Sequence, residues 1–287
     1  MSNTIQLAKQ YVPILDQIYK NKSLTAVLDG AAEVKSAGSN ANEIVIPKIS
    51  MDGLADYSRN GGYVNGSVNL VYETVKCNFD RGRTFSVDYL DNAETANVAF
   101  GKMSDEFIRT KVAPELDAFR FATYAGTDGI GEKAETLSAG ADVISALRLA
   151  TNTMDEAEVS TEDRYLFITP SLDGLVKDLD TTKSREVYDR FTQVILVPQT
   201  RFYTAISQLS GGTGEETGGY TKADGAADIN FMVVEKSAVI QYQKHVAPKI
   251  ISAEANQDAD AWKFGYRTVG IADVYENKVA GIYVSHK

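Results

Sequence analysis

The sequence predicts an α+β chain, and three stretches predict it. Residues 44–90 read as a long β excursion with a glycine-rich tip, residues 91–125 hold one long helix, and the last third is rich in strands separated by polar turns. With 287 residues there is enough chain for two domains or one large elaborated domain.

The elements follow in order. Leu7, Tyr11, Ile14 and Ile18 repeat at helical spacing, and Leu24, Val27 and Leu28 form a second stripe, so residues 1–30 read as a helical arm that Gly30 stops. Residues 35–43 are a polar connector of small side chains. Ile44 and Ile46 then alternate with Val45, and Pro47 marks a strand end or edge. The stretch 57–66 carries two Asn-Gly pairs and a Gly-Gly pair, the chemistry of a loop tip. Val68, Leu70, Tyr72 and Thr74 share one strand face, while Val71, Val75, Cys77 and Phe79 fall largely on the other. Arg81-Gly82-Arg83 interrupts, and Phe85, Val87 and Tyr89 resume the alternation.

The helix is expected to be capped by Asp91 or Asn92, with Glu94 in its first turn, where the helix dipole favours an anion. Ala96, Phe100, Met103 and Phe107 continue it, then Val112, Leu116 and Phe119. Pro114 predicts a kink near Thr110, because the ring removes one backbone donor. At 1.5 Å per residue, residues 92–124 make a spine of roughly 50 Å. Beyond the Gly126–Gly131 stop come a helix at 140–158, a strand from Tyr165 to Thr169, a short helix at 171–178 and a strand from Val194 to Val197. Residues 207–227 hold six glycines and read as an exposed mobile loop, followed by a buried strand from Phe231 to Val234.

Composition excludes several function classes. The formal net charge of −10 leaves no basic footprint for gripping nucleic acid along the chain. The single cysteine, Cys77, permits no intrachain disulfide and reads as strand packing. No apolar run reaches the ~18 residues of a membrane span, and the N-terminal residues lack a signal-peptide pattern, so no membrane association and a cytoplasmic setting are expected.

Catalytic patterns are missing as well. The two histidines, His245 and His286, lie far apart and form no metal motif. Gly126–Gly131 has the wrong spacing for a dinucleotide loop, and Gly211–Gly214 runs into Glu215-Glu216, whose charges repel phosphate. The acid pairs at Asp155–Glu158 and at Asp258 and Asp260 lack the ligand spacing of a calcium loop. No catalytic, cofactor or metal residue is therefore assigned. The cluster Asp80-Arg81-Gly82-Arg83 is different. Two arginines at i and i+2 project from one side of a strand, suited either to surface ion pairs or to a clamp on a carboxylate of another subunit.

Three runs in series carry a family resemblance. Gly53-Leu54-Ala55-Asp56-Tyr57-Ser58-Arg59-Asn60-Gly61-Gly62-Tyr63 is similar to the extended-loop segment of tailed-bacteriophage major capsid proteins. So is the run from Asp80 to Thr95, and Val112-Ala113-Pro114-Glu115-Leu116-Asp117-Ala118-Phe119-Arg120 resembles that family's signature late in its spine helix. The resemblance implies the Hong Kong 97-like capsid fold. The expected layout is an N-terminal arm at 1–43, a β-hairpin E-loop at 44–80, a P-domain with the spine helix at 81–138, an A-domain at 139–255 and closing P-domain strands at 256–287.

What the resemblance implies about function is self-assembly into the pentamers and hexamers of an icosahedral shell around double-stranded DNA, without tight DNA binding. The expected partners are copies of the chain itself, a separate scaffolding protein and a portal; assembly in the bacterial host cytoplasm into a virion capsid is expected. Because the arm begins within the first dozen residues, either scaffolding is a separate protein or the chain is already processed. The tip carries Asn60 and Asn65 but no lysine, which favours non-covalent assembly over a Lys–Asn cross-link. The candidate inter-subunit contacts are Tyr57, Arg59, Tyr63, Glu73, Arg81, Arg83 and Glu94. The alternatives are an encapsulin-type bacterial shell and, from another class, a soluble acidic hydrolase using an acid pair.

Overall fold

The computed structural model describes residues 23–30, 35–36, 43–89, 103, 105–179 and 182–287. The stripe from Leu7 to Ile18 and the expected helix start from Asp91 to Phe100 lie outside them.

The first sheet is a projecting hairpin. Strands β1 (Lys35–Ser36), β2 (Glu43–Met51) and β3 (Val68–Lys76) pair antiparallel in that order. Glu43 is opposite Lys76 and Met51 opposite Val68 with no register shift between, so the 52–67 loop is carried at the end of a straight ladder. Nine residues at ~3.3 Å each place that loop about 30 Å from the hairpin base.

Strand β4 (Phe79–Asp88) leaves the hairpin and joins a second sheet with β11 (Val239–Ile251) and β12 (Ala261–Val274), in the order β11-β12-β4, all antiparallel. Its alternation is the one the sequence predicts: Phe79, Arg81, Arg83, Phe85 and Val87 share a face. Asn78 fastens the start of β4, because its side-chain amide exchanges two hydrogen bonds with the backbone of Ala272.

The spine crosses this sheet. Helix α1 (Ala113–Ala125) is entered through a π-helical turn, Ile108–Val112. Pro114 explains that turn, since it has no N–H to give to the preceding turn. The pairing is shifted by one residue, Ala113 donating to the Ile108 carbonyl. The irregularity lies where Pro114 predicts it. The helix is buried on two sides. Ile108, Val112 and Leu116 pack on Phe79, Phe264 and Tyr266 of the three-stranded sheet. Phe121 and Tyr124 face the opposite way, into a larger core.

That core belongs to a five-stranded mixed sheet ordered β5-β13-β10-β6-β7 (Gly131–Ala134, Ile282–His286, Ile229–Glu235, Arg164–Ile168, Gln193–Leu196). Its central strands are buried on both faces, which is why they read as continuous apolar runs. Tyr165, Phe167, Met232 and Val234 face α1, while Leu166, Ile168, Phe231 and Val233 lie under α2 (Gly140–Glu156) and α3 (Pro170–Lys177).

Sheet membership divides the expected segments differently. β5, in the segment 81–138, and β13, in 256–287, belong to the five-stranded sheet; β11, in 139–255, belongs to the three-stranded one. Two elements depart from expectation. Helix α4 (Thr182–Tyr188) was not predicted. The stretch 207–227 is not a structureless loop: β8 (Ile206–Gln208) and β9 (Tyr220–Lys222) pair as a hairpin.

Candidate functional site

The hairpin loop is shaped by hydrogen bonds within itself. The Asp52 carboxylate accepts from both the backbone N–H and the hydroxyl of Ser67, at 2.7 and 2.8 Å, which closes the loop neck. These bonds, the backbone one first, pull the Asp52 carboxyl below its ordinary value. At the tip, Ser58 and Gly62 exchange two backbone hydrogen bonds, and Gly62 takes a left-handed conformation with φ of 75°. Tyr57 and Tyr63 are thereby brought ring to ring, 4.9 Å between centroids.

Order here is not bought with burial. Leu54 is 108% exposed and Tyr63 88%, with Tyr57, Val64, Met51 and Val68 also exposed. On β3, Leu70 and Val71 are exposed on opposite faces. Large apolar side chains gathered in the open on one loop mark a contact surface. Leu54, which the sequence did not nominate, is the plainest member; the signal was a bulky apolar residue beside Gly53, where a turn has no core to fill.

Of the nominated residues, Tyr57, Arg59 and Tyr63 come together on this exposed tip. Glu73 stands in β3 opposite Ile46. Glu94 lies outside the described residues. Arg81 and Arg83 lie away from the tip, where β4 meets the β8–β9 hairpin. Arg81 pairs with Glu115 at 2.8 Å and donates to the carbonyls of Leu209 and Gly219. Arg83 donates to the carbonyls of Glu216 and Thr217 at 2.6 and 3.1 Å. Among the described residues the acid that Arg81 meets is Glu115 of its own subunit, and both arginines hold a loop of the same chain. The loop cooperates: Glu215 accepts from the Ser210 N–H and hydroxyl, and Glu216 from the Gly214 N–H, each carboxyl being drawn below its ordinary value by those bonds.

The acid pairs serve structure. Asp155 answers Arg164 at 2.7 Å and Arg190 at 3.5 Å, and Asp258 answers Lys263. Among the described residues no group of three or more His, Cys, Asp or Glu side chains is placed to hold a metal ion, and no helix is long and apolar enough to cross a membrane.

No family model and no curated protein matches the sequence. Solved structures do match the fold. The mature capsid of bacteriophage PhiM1 is 12% identical with a TM-score of 0.59, over 85% of this chain and 82% of that one. The capsid of cyanophage P-SCSP1u is 16% identical with a TM-score of 0.58, over 90% and 91%. The chain has the Hong Kong 97-like capsid fold. The virus-like particle from Pyrococcus furiosus is built on the same fold, 12% identical with a TM-score of 0.57 over 94% of this chain and 95% of that one. Coverage on that scale means that the Hong Kong 97-like capsid fold accounts for the hairpin, the spine and both sheets together.

Proposed function

We propose that the chain is a major capsid protein, a non-enzymatic subunit that assembles into the pentamers and hexamers of an icosahedral shell enclosing double-stranded DNA. The observation that carries this reading is the projecting hairpin, whose apolar tip is exposed, with Leu54 and Tyr63 packed into no core of the described residues. In this reading the hairpin is the E-loop, and β4, β11, β12 and α1 form the P-domain. The five-stranded sheet with α2 and α3 forms the A-domain. A separate scaffolding protein, a portal and assembly in the bacterial host cytoplasm belong to the same proposal.

Negative-stain electron microscopy of the purified chain tests it. Closed shells or ring-shaped capsomers are the expected result, and a monomer at all concentrations sinks the reading. The likeness to the Pyrococcus particle favours a second reading, a nanocompartment shell of encapsulin type. The contents of shells isolated from cells separate the two: duplex DNA for the first, a protein cargo for the second.

A further inference from the structure

We infer that the groove between the spine, the three-stranded sheet and the β8–β9 hairpin binds a small phosphate-bearing anion, a di- or triphosphate group either free or carried on a nucleoside, with Arg83 and Lys111 as its anchors. The inference goes beyond the shell reading above and does not depend on it.

The groove has a volume of about 1140 Å³. Small-molecule sites run to ~300–1,000 Å³, so there is room for a ligand of nucleoside triphosphate size. In a chain of net charge −10, the groove is lined by six lysine and arginine side chains against two carboxylates, Glu106 and Glu115. Four of the six cations are answered within the subunit: Arg81 by Glu115, Arg109 by Glu106, Arg201 by Asp117 and Lys222 by Asp228. Glu215 and Glu216 of the adjoining loop give their carboxylates to loop amides. Arg83 and Lys111 form no ion pair with any described residue.

The loop fixes Arg83 without neutralising it. The carbonyls of Glu216 and Thr217 take two of the five guanidinium N–H groups and leave three. A carbonyl accepts a hydrogen bond but carries no net charge, so the cation keeps its full charge. Gly218, at φ of 60°, permits the close approach, since a Cβ there would stand 2.6 Å from Nη1 of Arg83. Lys111 brings its ammonium donors from the π-helical turn. An arginine fork and a lysine point charge are complementary ways of holding phosphate. Where β12 lines the groove, the Thr268 hydroxyl is on a residue only 2% exposed and has no hydrogen-bond partner among the described residues, so a phosphate oxygen reaching this wall finds a donor. Phe85 and Tyr203 line the same space, aromatic surface on which a nucleobase can stack. Two unanswered cations fall well short of the ~6–10 phosphate contacts of a duplex-binding protein, so the site suits a compact phosphate cluster rather than DNA.

Isothermal titration calorimetry of the purified chain with sodium triphosphate, ATP and adenosine, at physiological ionic strength and without magnesium, tests this. Sub-millimolar binding of triphosphate and ATP is expected, and none of adenosine. ATP binding more tightly than triphosphate upholds the site as one for nucleotides, and equal binding upholds it as one for the inorganic anion. Arg83→Met and Lys111→Met are each expected to weaken the affinity about fivefold, the upper worth of an exposed ion pair. Gly218→Ala keeps every charge but crowds the Arg83 guanidinium, and is expected to weaken binding as well. Arg267, paired with Asp80, alternates with Tyr266 and Thr268 and so leaves the sheet on the opposite face. Arg267→Gln is therefore expected to leave the affinity unchanged. Where Arg83→Met or Gly218→Ala loosens the 209–219 loop, Lys111→Met, which lies outside that loop, decides. No binding of triphosphate or ATP at about 1 mM, adenosine binding as tightly as ATP, or an equal loss in the Arg267 and Lys111 variants overturns the inference and leaves the shell reading standing.

Discussion

The carboxylate of Asp117, fully buried in the middle of α1, accepts the Ser23 hydroxyl at 2.7 Å across ninety-four positions of sequence. It also accepts the Leu24 and Thr25 backbone N–H groups and the Thr25 hydroxyl. Those amides begin the 3₁₀ turn Leu24–Leu28, so Asp117 caps that turn from a distant helix. Arg201 completes the shell at 3.3 Å, tying in the chain beside the five-stranded sheet. Nearby, buried Arg120 donates to the Thr25 hydroxyl, and Gln241 of β11 donates to the Thr25 carbonyl. One carboxylate therefore gathers the N-terminal segment, the spine and a loop of the larger layer.

Asp117→Ala is expected to destabilise the unassembled subunit by about 3–5 kcal/mol, because it leaves buried donors and Arg201 without their acceptor. Asp117→Asn keeps one acceptor oxygen and is expected to cost less. Urea unfolding monitored by circular dichroism checks both. A loss under ~1 kcal/mol for the alanine variant, within the range of an ordinary surface change, would show that the hub contributes little.

Arg81 is expected to act as a strap for the β8–β9 hairpin. Arg81→Met removes the Glu115 pair and two carbonyl bonds together, at 26% and 13% side-chain exposure for the ion pair. Hydrogen bonds to charged groups at partly buried sites are worth ~1.5–3 kcal/mol. Amide exchange across 209–219 is expected to accelerate at least tenfold, with Glu115→Gln giving a smaller change in the same segment. Unchanged exchange in both variants would assign the order of this loop to its own turns.

The same stretch shows why part of the fold was legible and part was not. Period-two alternation located β3 and β4, and placed Arg81 and Arg83 on one face, because a strand's side chains are fixed by parity. Continuous apolar runs located β6 and β10. The 207–227 stretch misled because its six glycines and few apolar residues resemble a mobile loop, while the arginines that order it lie some 130 positions earlier. Asp117 was hidden for a related reason. The sequence favours the stripe Val112, Leu116, Phe119, yet Ala113, Asp117, Phe121 and Tyr124 form a second buried stripe. A carboxylate within that stripe was the available signal. The exposed tip was legible from its turn residues.

Acid should open the 210–219 turn. Hydrogen bonds to Ser210 hold the Glu215 carboxyl below its ordinary 4.5, and the Gly214 N–H does the same for Glu216. A carboxylate depressed in the folded state contributes stability that is present above its unfolded value and lost as pH falls through the folded one. The turn is therefore expected to be intact above about pH 4.5 and to loosen below it. Amide exchange at Gly212 and Gly214, corrected for intrinsic rates, checks this. Glu215→Gln should flatten much of the pH dependence; an unchanged profile in that variant would remove the carboxylate from the account.

Deleting residues 56–65 is expected to leave a folded subunit that forms no stable shells. Among the described residues the tip makes its hydrogen bonds internally and packs against no core, so its loss uncovers none of that core. Thermal unfolding should change by no more than a few degrees, while sedimentation should show capsomer-sized species lost. Normal shells from the deleted chain would show that the apolar tip is dispensable for assembly.

Unassembled subunits are expected to show no measurable affinity for duplex DNA at 0.15 M salt. DNA-binding strength comes from phosphates neutralised by lysine and arginine, each adding counterion-release affinity. This chain carries a net −10, and Arg81, Arg109, Arg120, Arg164, Arg201 and Arg267 are all paired with carboxylates of their own subunit. Small cations suffice to neutralise enclosed DNA, and an adhesive wall would hinder both filling and release. Repulsion from an acidic wall is screened within ~8 Å at this salt, so it does not oppose packing at longer range. Fluorescence anisotropy with a labelled duplex measures the affinity. Micromolar binding that falls steeply as salt is added would reveal an unpaired basic surface and overturn the expectation.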